Sequence, residues 1–509
     1  MFFKSIILTM SSVLFCTLSA SGQSLTMLKE VNGIKARVWK SPTKASDTEL
    51  PSSVDNSTSI HFPPIFNQIG GSCAQASTIG YMFTYEVNAL LDRDASLPEN
   101  RFSYLYTWNL LNDGQDVGSF QFDGIQIANS NGIMSESDFP KQTASYQFKW
   151  ASGFDKYLRA MKYKGDDFIN LEITDTASLM DIKQYLYNKG KVGTKGGVLA
   201  FSSQATGWKF NTSYSGPSET GYDCMLTKLA YDGGHAMTIV GYDDTVEFER
   251  PDGVISKGAF IAVNSYGEDY WYHDRGRYYL PYWFFLSEHD HGALSNDLTG
   301  IIPQYIEYPD IVFKVALEYS SRDDLAFRFG VDDDPAALSP EHNYRFQIFN
   351  HQGGDNPMQG RGASPYIEFG MDFSLHAEKA DGMETPNWFL IVERAARGNK
   401  LGEGVMRAFE VYDYREDPMN PKKYVHDNIN GKVIERGSNV YNISSVEPPS
   451  CSFSPVEWLN RSGQPIASPY VFRTAEGKYA KVRFSEYDRE EGTIKIKYIY
   501  APDGSTNIE

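Results

Sequence analysis

A cysteine, a histidine and an asparagine stand in that order along the chain, each in a setting that suits chemistry. Cys73 lies in Gln68-Ile69-Gly70-Gly71-Ser72-Cys73-Ala74-Gln75-Ala76-Ser77, a small glycine-rich loop that runs into a helical pattern. Ser72 suits the N-cap, because its hydroxyl can accept a bond from a free N–H of the first turn. The unpaired N–H groups and the dipole of a helix start favour negative charge, so a thiol at Cys73 would lose its proton more readily. The thiolate is the nucleophilic form. His235 opens an alternating strand pattern in Gly233-Gly234-His235-Ala236-Met237-Thr238-Ile239-Val240. Asn264 ends the apolar run Phe260-Ile261-Ala262-Val263. A cysteine nucleophile needs a base that can hold its proton, and histidine titrates in the right range. The base needs a third group to fix its ring, and an asparagine oxygen can do that. Taken singly, an inert buried cysteine, a satisfied core histidine and a turn asparagine are competing readings. All three in this order are much less expected by chance.

The elements that must position these groups follow from apolar spacing. Ile79, Met82, Phe83, Val87, Leu90 and Leu91 recur at helical intervals, which predicts a buried helix from Cys73 to about Leu91. Asn100 to Asn112 holds a second, aromatic-rich helical pattern, and Leu179 to Asn188 another. From Gly197 to Pro281 strand patterns dominate, and His235 and Asn264 sit on them. The cysteine is thus on a mostly helical half and its partners on a β half, with a cleft expected between.

These stretches resemble the papain-like cysteine peptidases. Gln68 to Ser77 is similar to the family's Gln-x-Gly-x-Cys-Gly-Ser-Cys-Trp-Ala-Phe-Ser segment, Gly234-His235-Ala236 to its base strand, and Asn264-Ser265-Tyr266-Gly267 to its Asn-Ser-Trp-Gly. The gaps from Cys73 to His235 and from Cys73 to Asn264 exceed the roughly 130–150 residues this family leads one to expect, which implies modest insertions. The resemblance, to secreted bacterial members with extra β-domains, covers about Leu50 to Pro303. It implies an α+β, papain-like two-lobed peptidase domain and a Cys73–His235–Asn264 triad. It also implies an oxyanion donor from the loop glutamine. That donor is Gln68 or Asn67, since the loop is one residue short; Gln68 is favoured because Asn67-Gln68 matches the family's Asn-Gln pair. The family's Trp after the nucleophile is Ala74 here, its Trp over the base is Tyr266, and the Cys three positions before the nucleophile is Gly70. In the family a loop before a later helix offers its backbone to extended substrate. Gly118 and Ser119 are the candidates for that edge, with an ordinary helix-entry loop as the competing reading, and Gly234 flanks the base. No metal and no organic cofactor is implied.

Composition bounds the rest. The chain has 509 residues, which argues for two or three domains, and 33 Tyr and 31 Phe favour β-rich structure. With 47 Lys and Arg against 65 Asp and Glu the net charge is −18, which works against nucleic-acid binding. Met1 to about Gly22 reads as a signal peptide: Lys4, an apolar Ile6–Leu18 run too short for a comfortable membrane span, then small residues. Removing it leaves Cys73, Cys224 and Cys451, too few for a disulfide scaffold. The expected location is therefore outside the cytoplasm (secreted, periplasmic or on the surface of a bacterium), with no transmembrane segment in the mature chain.

Beyond Pro303 the texture changes. Ile311–Tyr319, Leu325–Val331, Tyr344–Phe349, Tyr366–Asp372, Trp388–Val392 and Met406–Tyr414 are short alternating runs between turn residues, which reads as an all-β, lectin-like sandwich. The loops His351–Pro357 and Asp332–Asp334 read as turns ahead of a ligand or cation site. Three further runs, Tyr470–Arg473, Tyr479–Tyr487 and Thr493–Tyr500, make a last β unit with Glu491-Gly492 as its turn; Arg473 to Lys481 resembles the end of secreted HmuY-like sandwiches. The expected organisation is a signal peptide over 1–22, a leader or linker over 23–49, the peptidase domain over 50–303, a β-sandwich over 304–418, a linker over 419–450 and a C-terminal β unit over 451–509. The expected function is peptide-bond hydrolysis on protein or peptide substrates, with the β-domains binding substrate, a glycan or a cell-surface ligand. The alternatives are a degenerate papain-fold binding protein and an amide hydrolase or transferase for non-protein substrates.

Overall fold

A computed structural model describes residues 37–42, 49–141, 148–230, 232–270, 273–287, 294–346, 348–395 and 401–444, together with the strands Lys4–Thr9, Glu30–Val31, Ile34–Lys35, Tyr470–Arg473, Tyr479–Asp488 and Thr493–Ala501. It is mixed α/β with several sheets. The expected first helix is one helical run in three parts. Cys73–Gln75 (α1) continues through a π-helical stretch, Ala76–Phe83, into Thr84–Leu91 (α2), and Asp92 ends it in the left-handed region at φ 54°. All eight residues of the wider-wound stretch are buried. Such π segments recur at functional sites because they re-aim side chains. Tyr104–Leu111 (α3), Gln121–Asn131 (α4), Phe154–Met161 (α5) and Thr176–Asn188 (α6) follow; Asp175 and Ser178 close a capping box on α6.

A ten-stranded sheet carries the other half of the site. Its central strands are Tyr163–Glu172 (β1), Leu199–Thr206 (β2), Asp232–Glu249 (β3), Ile255–Val263 (β4), Arg277–Pro281 (β5) and Asp297–Tyr305 (β6), in the spatial order β1-β6-β2-β3-β4-β5. Arg37–Val38 adds a parallel edge strand beside β1, and Met225–Lys228 and Lys209–Asn211 extend the far side. In register, His235 lies opposite Ser203, and Thr238 opposite Val263, the residue before Asn264. One pairing pattern therefore fixes both partners of the cysteine.

Residues 311–443 form two four-stranded antiparallel sheets. One runs Tyr366–Asp372, Ile311–Tyr319, Gly404–Asp413, Lys422–Val425; the other runs His342–Tyr344, Leu325–Asp332, Asn387–Arg394, Gly437–Ile443. They pack through aromatic rings: Phe313 of one meets Phe329 and Trp388 of the other at 5.2 and 5.7 Å. Two expectations need correction here. The segment 419–450, read as a linker, carries Lys422–Val425 and Gly437–Ile443, polar strands that lie at the sheet edges with mostly exposed residues. The run expected as a strand over Tyr344–Phe349 is one only at its first residue among the described ones, where His342–Tyr344 ends. Pairing stops at Tyr344, and Phe349 and His351 take positive φ of 61° and 56°.

The buried apolar side chains of both halves form one continuous cluster, from Phe62 to Ile443. Phe154 of α5 stacks on Tyr412, and Tyr157 meets Phe369. Lys164 and Asp372 form an ion pair at 2.9 Å with both side chains almost wholly buried. Asp332 turns its oxygens to the backbone N–H groups of Asp334 and Glu341, and loop 351–357 faces inward, so both act as turns.

The last strands form a third four-stranded sheet in the order Lys4–Thr9, Thr493–Ala501, Tyr479–Asp488, Tyr470–Arg473. Lys4–Thr9 falls inside the segment expected as a signal peptide, and its backbone pairs along the edge of Thr493–Ala501. The Glu491-Gly492 turn, Cys16 and Cys451 lie outside the described residues. No helix among the described residues is long and apolar enough to cross a membrane.

Candidate active site

Cys73 is the first residue of α1 and keeps some solvent access. Ser72 does not cap as expected: its backbone sits at φ −82°, ψ 11°, its hydroxyl makes no bond to the first turn, and its Oγ is buried without a partner among the described residues. The thiol's proton affinity also runs against the simple helix-start argument. Burial pushes it up, while the backbone N–H groups of Ala236, Ala74 and Cys73 itself pull it down by less. The Ala236 contact brings the sulfur beside the residue that follows His235.

His235 is 8% exposed and Asn264 4%. His235 Nε2 and Asn264 Oδ1 are 3.0 Å apart. Asn264 Oδ1 also accepts from the Ser265 N–H at 2.7 Å, which identifies that atom as the amide oxygen. Nε2 must then carry the ring proton, and Nδ1 is the basic nitrogen. Tyr266 stacks on the imidazole at 4.8 Å with planes 15° apart. Burial holds the ring below the ordinary histidine range, and the Asn264 bond offsets part of that. Cys73 and His235 are therefore both pushed toward their neutral forms.

The helix and the sheet are tied together around these groups. Tyr81, in the π stretch, donates to the Asn264 carbonyl at 3.2 Å, and Thr238 of β3 donates to the Ser77 carbonyl at 3.1 Å. Gln68 is held at three points. Its N–H donates to Ser265 O at 2.7 Å, its Oε1 accepts from Ser265 Oγ at 2.6 Å, and its Nε2 donates to Gly70 O at 2.8 Å. Asn67 instead turns its amide against Gly267, where an added Cβ would meet it at 2.8 Å. Gly118 and Gly234 face open space, with nothing within 4 Å of an added Cβ. Ser119 Oγ accepts from Gln75 Nε2 at 3.0 Å, and the same nitrogen donates to Phe120 O at 2.9 Å.

Tyr81, Ser265, Gln75 and Asp116 escape a reading of the sequence. Ser265 alone carries a signal, as the neighbour of Asn264. Tyr81 and Gln75 look like any helix residues until the fold shows what they reach. Among the described residues, no group of three or more His, Cys, Asp or Glu comes together that could hold a metal. Cys224 is buried, with its thiol pushed up to about 12, first by burial and then by Asp223 and Asp274.

Asp123 lies in the first turn of α4, just past the Ser119–Phe120 edge. Burial raises its carboxyl to about 6, with a Phe120 backbone bond acting the other way. Between its unfolded value near 3.8 and that figure the folded chain binds more protons than the unfolded one. Stability then falls as pH rises through that window and levels off above it. Asp123→Asn, neutral at every pH, is expected to unfold like the parent at pH 4. At pH 7.5 it should be more stable by about 1–2 kcal/mol, given some 1.4 kcal/mol per pKa unit reduced for partial exposure. Urea midpoints at the two pH values check this.

The chain matches no protein-family model and no curated protein. Its structure is similar to solved cysteine proteases over about half its length. Xylellain, a cysteine protease from Xylella fastidiosa, has a TM-score of 0.37 and 17% identity, covering 53% of this chain and 92% of that one. Procathepsin B S9 from Trypanosoma congolense has a TM-score of 0.37 and 13% identity, covering 56% and 86%. The Carica candamarcensis cysteine protease CMS1MS2, solved with E-64, has a TM-score of 0.32 and 18% identity, covering 50% and 98%. At these scores the functional reading rests on the side-chain geometry of the site.

Proposed function

We propose that this chain is an exported, papain-like cysteine peptidase that hydrolyses peptide bonds through an acyl-enzyme on Cys73. The observation that carries the reading is the 3.0 Å His235–Asn264 bond under Tyr266, with the next N–H on that strand, Ala236, at the Cys73 sulfur. His235 Nδ1 takes the thiol proton as sulfur attacks the peptide carbonyl carbon. The developing oxyanion is held by the Cys73 N–H and the Gln68 amide. Each such donor is worth roughly 3–4 kcal/mol in other enzymes. The imidazolium then gives its proton to the leaving amine as the C–N bond breaks. Water, deprotonated by the same ring, attacks the thioester and releases the acid, and Asn264 keeps the ring oriented throughout. Gly118, Ser119 and Gly234 border the space where an extended peptide would pair.

In this reading 50–303 is the two-lobed peptidase domain, and the paired sheets beyond it form a β-sandwich for substrate or surface binding. A thiol-specific epoxide inhibitor tests the core of the proposal. At neutral pH in reductant it is expected to label Cys73 by peptide mapping and to leave the buried Cys224 unmodified. The parent chain should also cleave a peptide library. Absence of label would favour a binding protein on a peptidase fold. Label without cleavage of any peptide would favour amide hydrolysis or transfer on a non-protein substrate.

A further inference from the structure

We infer that Asp116 is a positioning residue for the oxyanion loop, held in place by the two-sheet unit; this rests on the peptidase reading above. Asp116 comes from loop 112–120, far from Cys73 in sequence. Its Oδ1 accepts from the Gly71 N–H at 2.8 Å. Gly70, in the left-handed region at φ 52°, lies against the same carboxyl: an added Cβ would meet Oδ1 at 2.0 Å. A Cβ on Gly71 would strike the Val117 carbonyl carbon at 2.8 Å. Two glycines two and three positions before the nucleophile thus let a carboxylate and a neighbouring backbone close on the turn that aims the Cys73 N–H and carries Gln68.

The carboxylate is itself anchored. Trp108 Nε1 donates to Val117 O at 2.9 Å, and Gln75, two residues past the nucleophile, holds Ser119 and Phe120. On the far side, the Gly354 N–H donates to Asp113 Oδ1 at 3.2 Å, and Gly114 sits so close to loop 353–356 that an added Cβ would lie 2.7 Å from Gly353 O. The loop is therefore pinned between the nucleophile helix and the second unit, with Asp116 pointing back at the catalytic turn. An oxyanion donor acts only if it waits where the charge develops. Without the Asp116 acceptor the Gly71 peptide is free to turn, and the Cys73 N–H and the Gln68 amide turn with it. The side chains of Cys73, His235 and Ser119 are not altered by the substitution.

The test compares Asp116→Ala with Asp116→Asn. Both remove the charge, but only the asparagine keeps an oxygen that can accept from Gly71 N–H. On a peptide substrate, the alanine variant is expected to lose on the order of tenfold or more in kcat, as small misplacements of catalytic groups do, with KM within about threefold. Its rate of alkylation by iodoacetamide, which needs the thiolate and no oxyanion hole, should fall far less than kcat. The asparagine variant should recover most of kcat. Hydrogen exchange over 68–73, read by mass spectrometry, is independent of activity: it should speed up in Asp116→Ala and stay near the parent in Asp116→Asn. Equal kcat losses in both variants, an undiminished alanine variant, or unchanged exchange would overturn the inference. A parent chain that cleaves no peptide would count against the peptidase reading instead, and the exchange comparison would still decide the clamp.

Discussion

Replacing Cys73 with alanine is expected to remove peptide hydrolysis almost entirely, a loss on the order of 10⁵–10⁶ in kcat by analogy with nucleophile removal in other hydrolases. The fold should tolerate the change, because Cys73 is at a helix start and partly exposed, and alanine removes only the sulfur. His235→Ala should cost about as much, and the double variant no more than either alone, since nucleophile and base act as one unit. Asn264→Ala should cost less. It leaves the His235 Nε2–H and the Ser265 N–H without their acceptor, so the ring loses its fixed tautomer and part of the basicity that the Asn264 bond supplies. Steady-state kinetics on one fluorogenic peptide, with circular dichroism to confirm folding, checks the ordering. Residual activity within tenfold of the parent in Cys73→Ala would assign the chemistry to another group.

How much of this could be read from residues alone depends on what each inference required. Cys73, His235 and Asn264 each sit in a short local pattern, and the β3–β4 pairing places the last two side by side. The strands Ile311–Tyr319 and Tyr366–Asp372 were legible to the residue because alternation is a local property of a half-buried strand. What failed was anything decided by tertiary surroundings. The direction of the Cys73 shift is set by burial, which a helix start does not reveal. Lys422–Val425 and Gly437–Ile443 are edge strands whose exposed polar residues look like a linker until the neighbouring strand is present. Asp116 reads as one more turn aspartate in a polar loop. Its meaning comes from Gly71, brought to it by the fold.

Truncating Arg322 to alanine is expected to lower stability by about 2–4 kcal/mol, from the cavity it leaves and the hydrogen bonds it loses. Arg322 is fully buried. Its Nε donates to Gly353 O at 2.7 Å and its Nη2 to Phe148 O at 2.8 Å, and the guanidinium lies 4.2 Å over the Trp150 ring. One side chain thus fastens the first unit, through residues 148 and 150, to the second, through loop 353. Burial lowers the guanidinium to about 9, so it remains a cation at neutral pH and the folded chain bears its desolvation. Alanine would leave a cavity, take the Arg322 donor from Phe148 O and leave Gly353 O with the Asn356 amide at 3.2 Å. Arg322→Met fills the space and removes the charge, so it should recover part of the loss without restoring either hydrogen bond. Because the apolar core runs through both units, the parent and both variants should unfold in one transition, seen alike by tryptophan fluorescence and circular dichroism. Two separated transitions in the parent would mean that the units are stable apart. The loop that holds Asp116 would then have to owe its order to Trp108 and Gln75 alone.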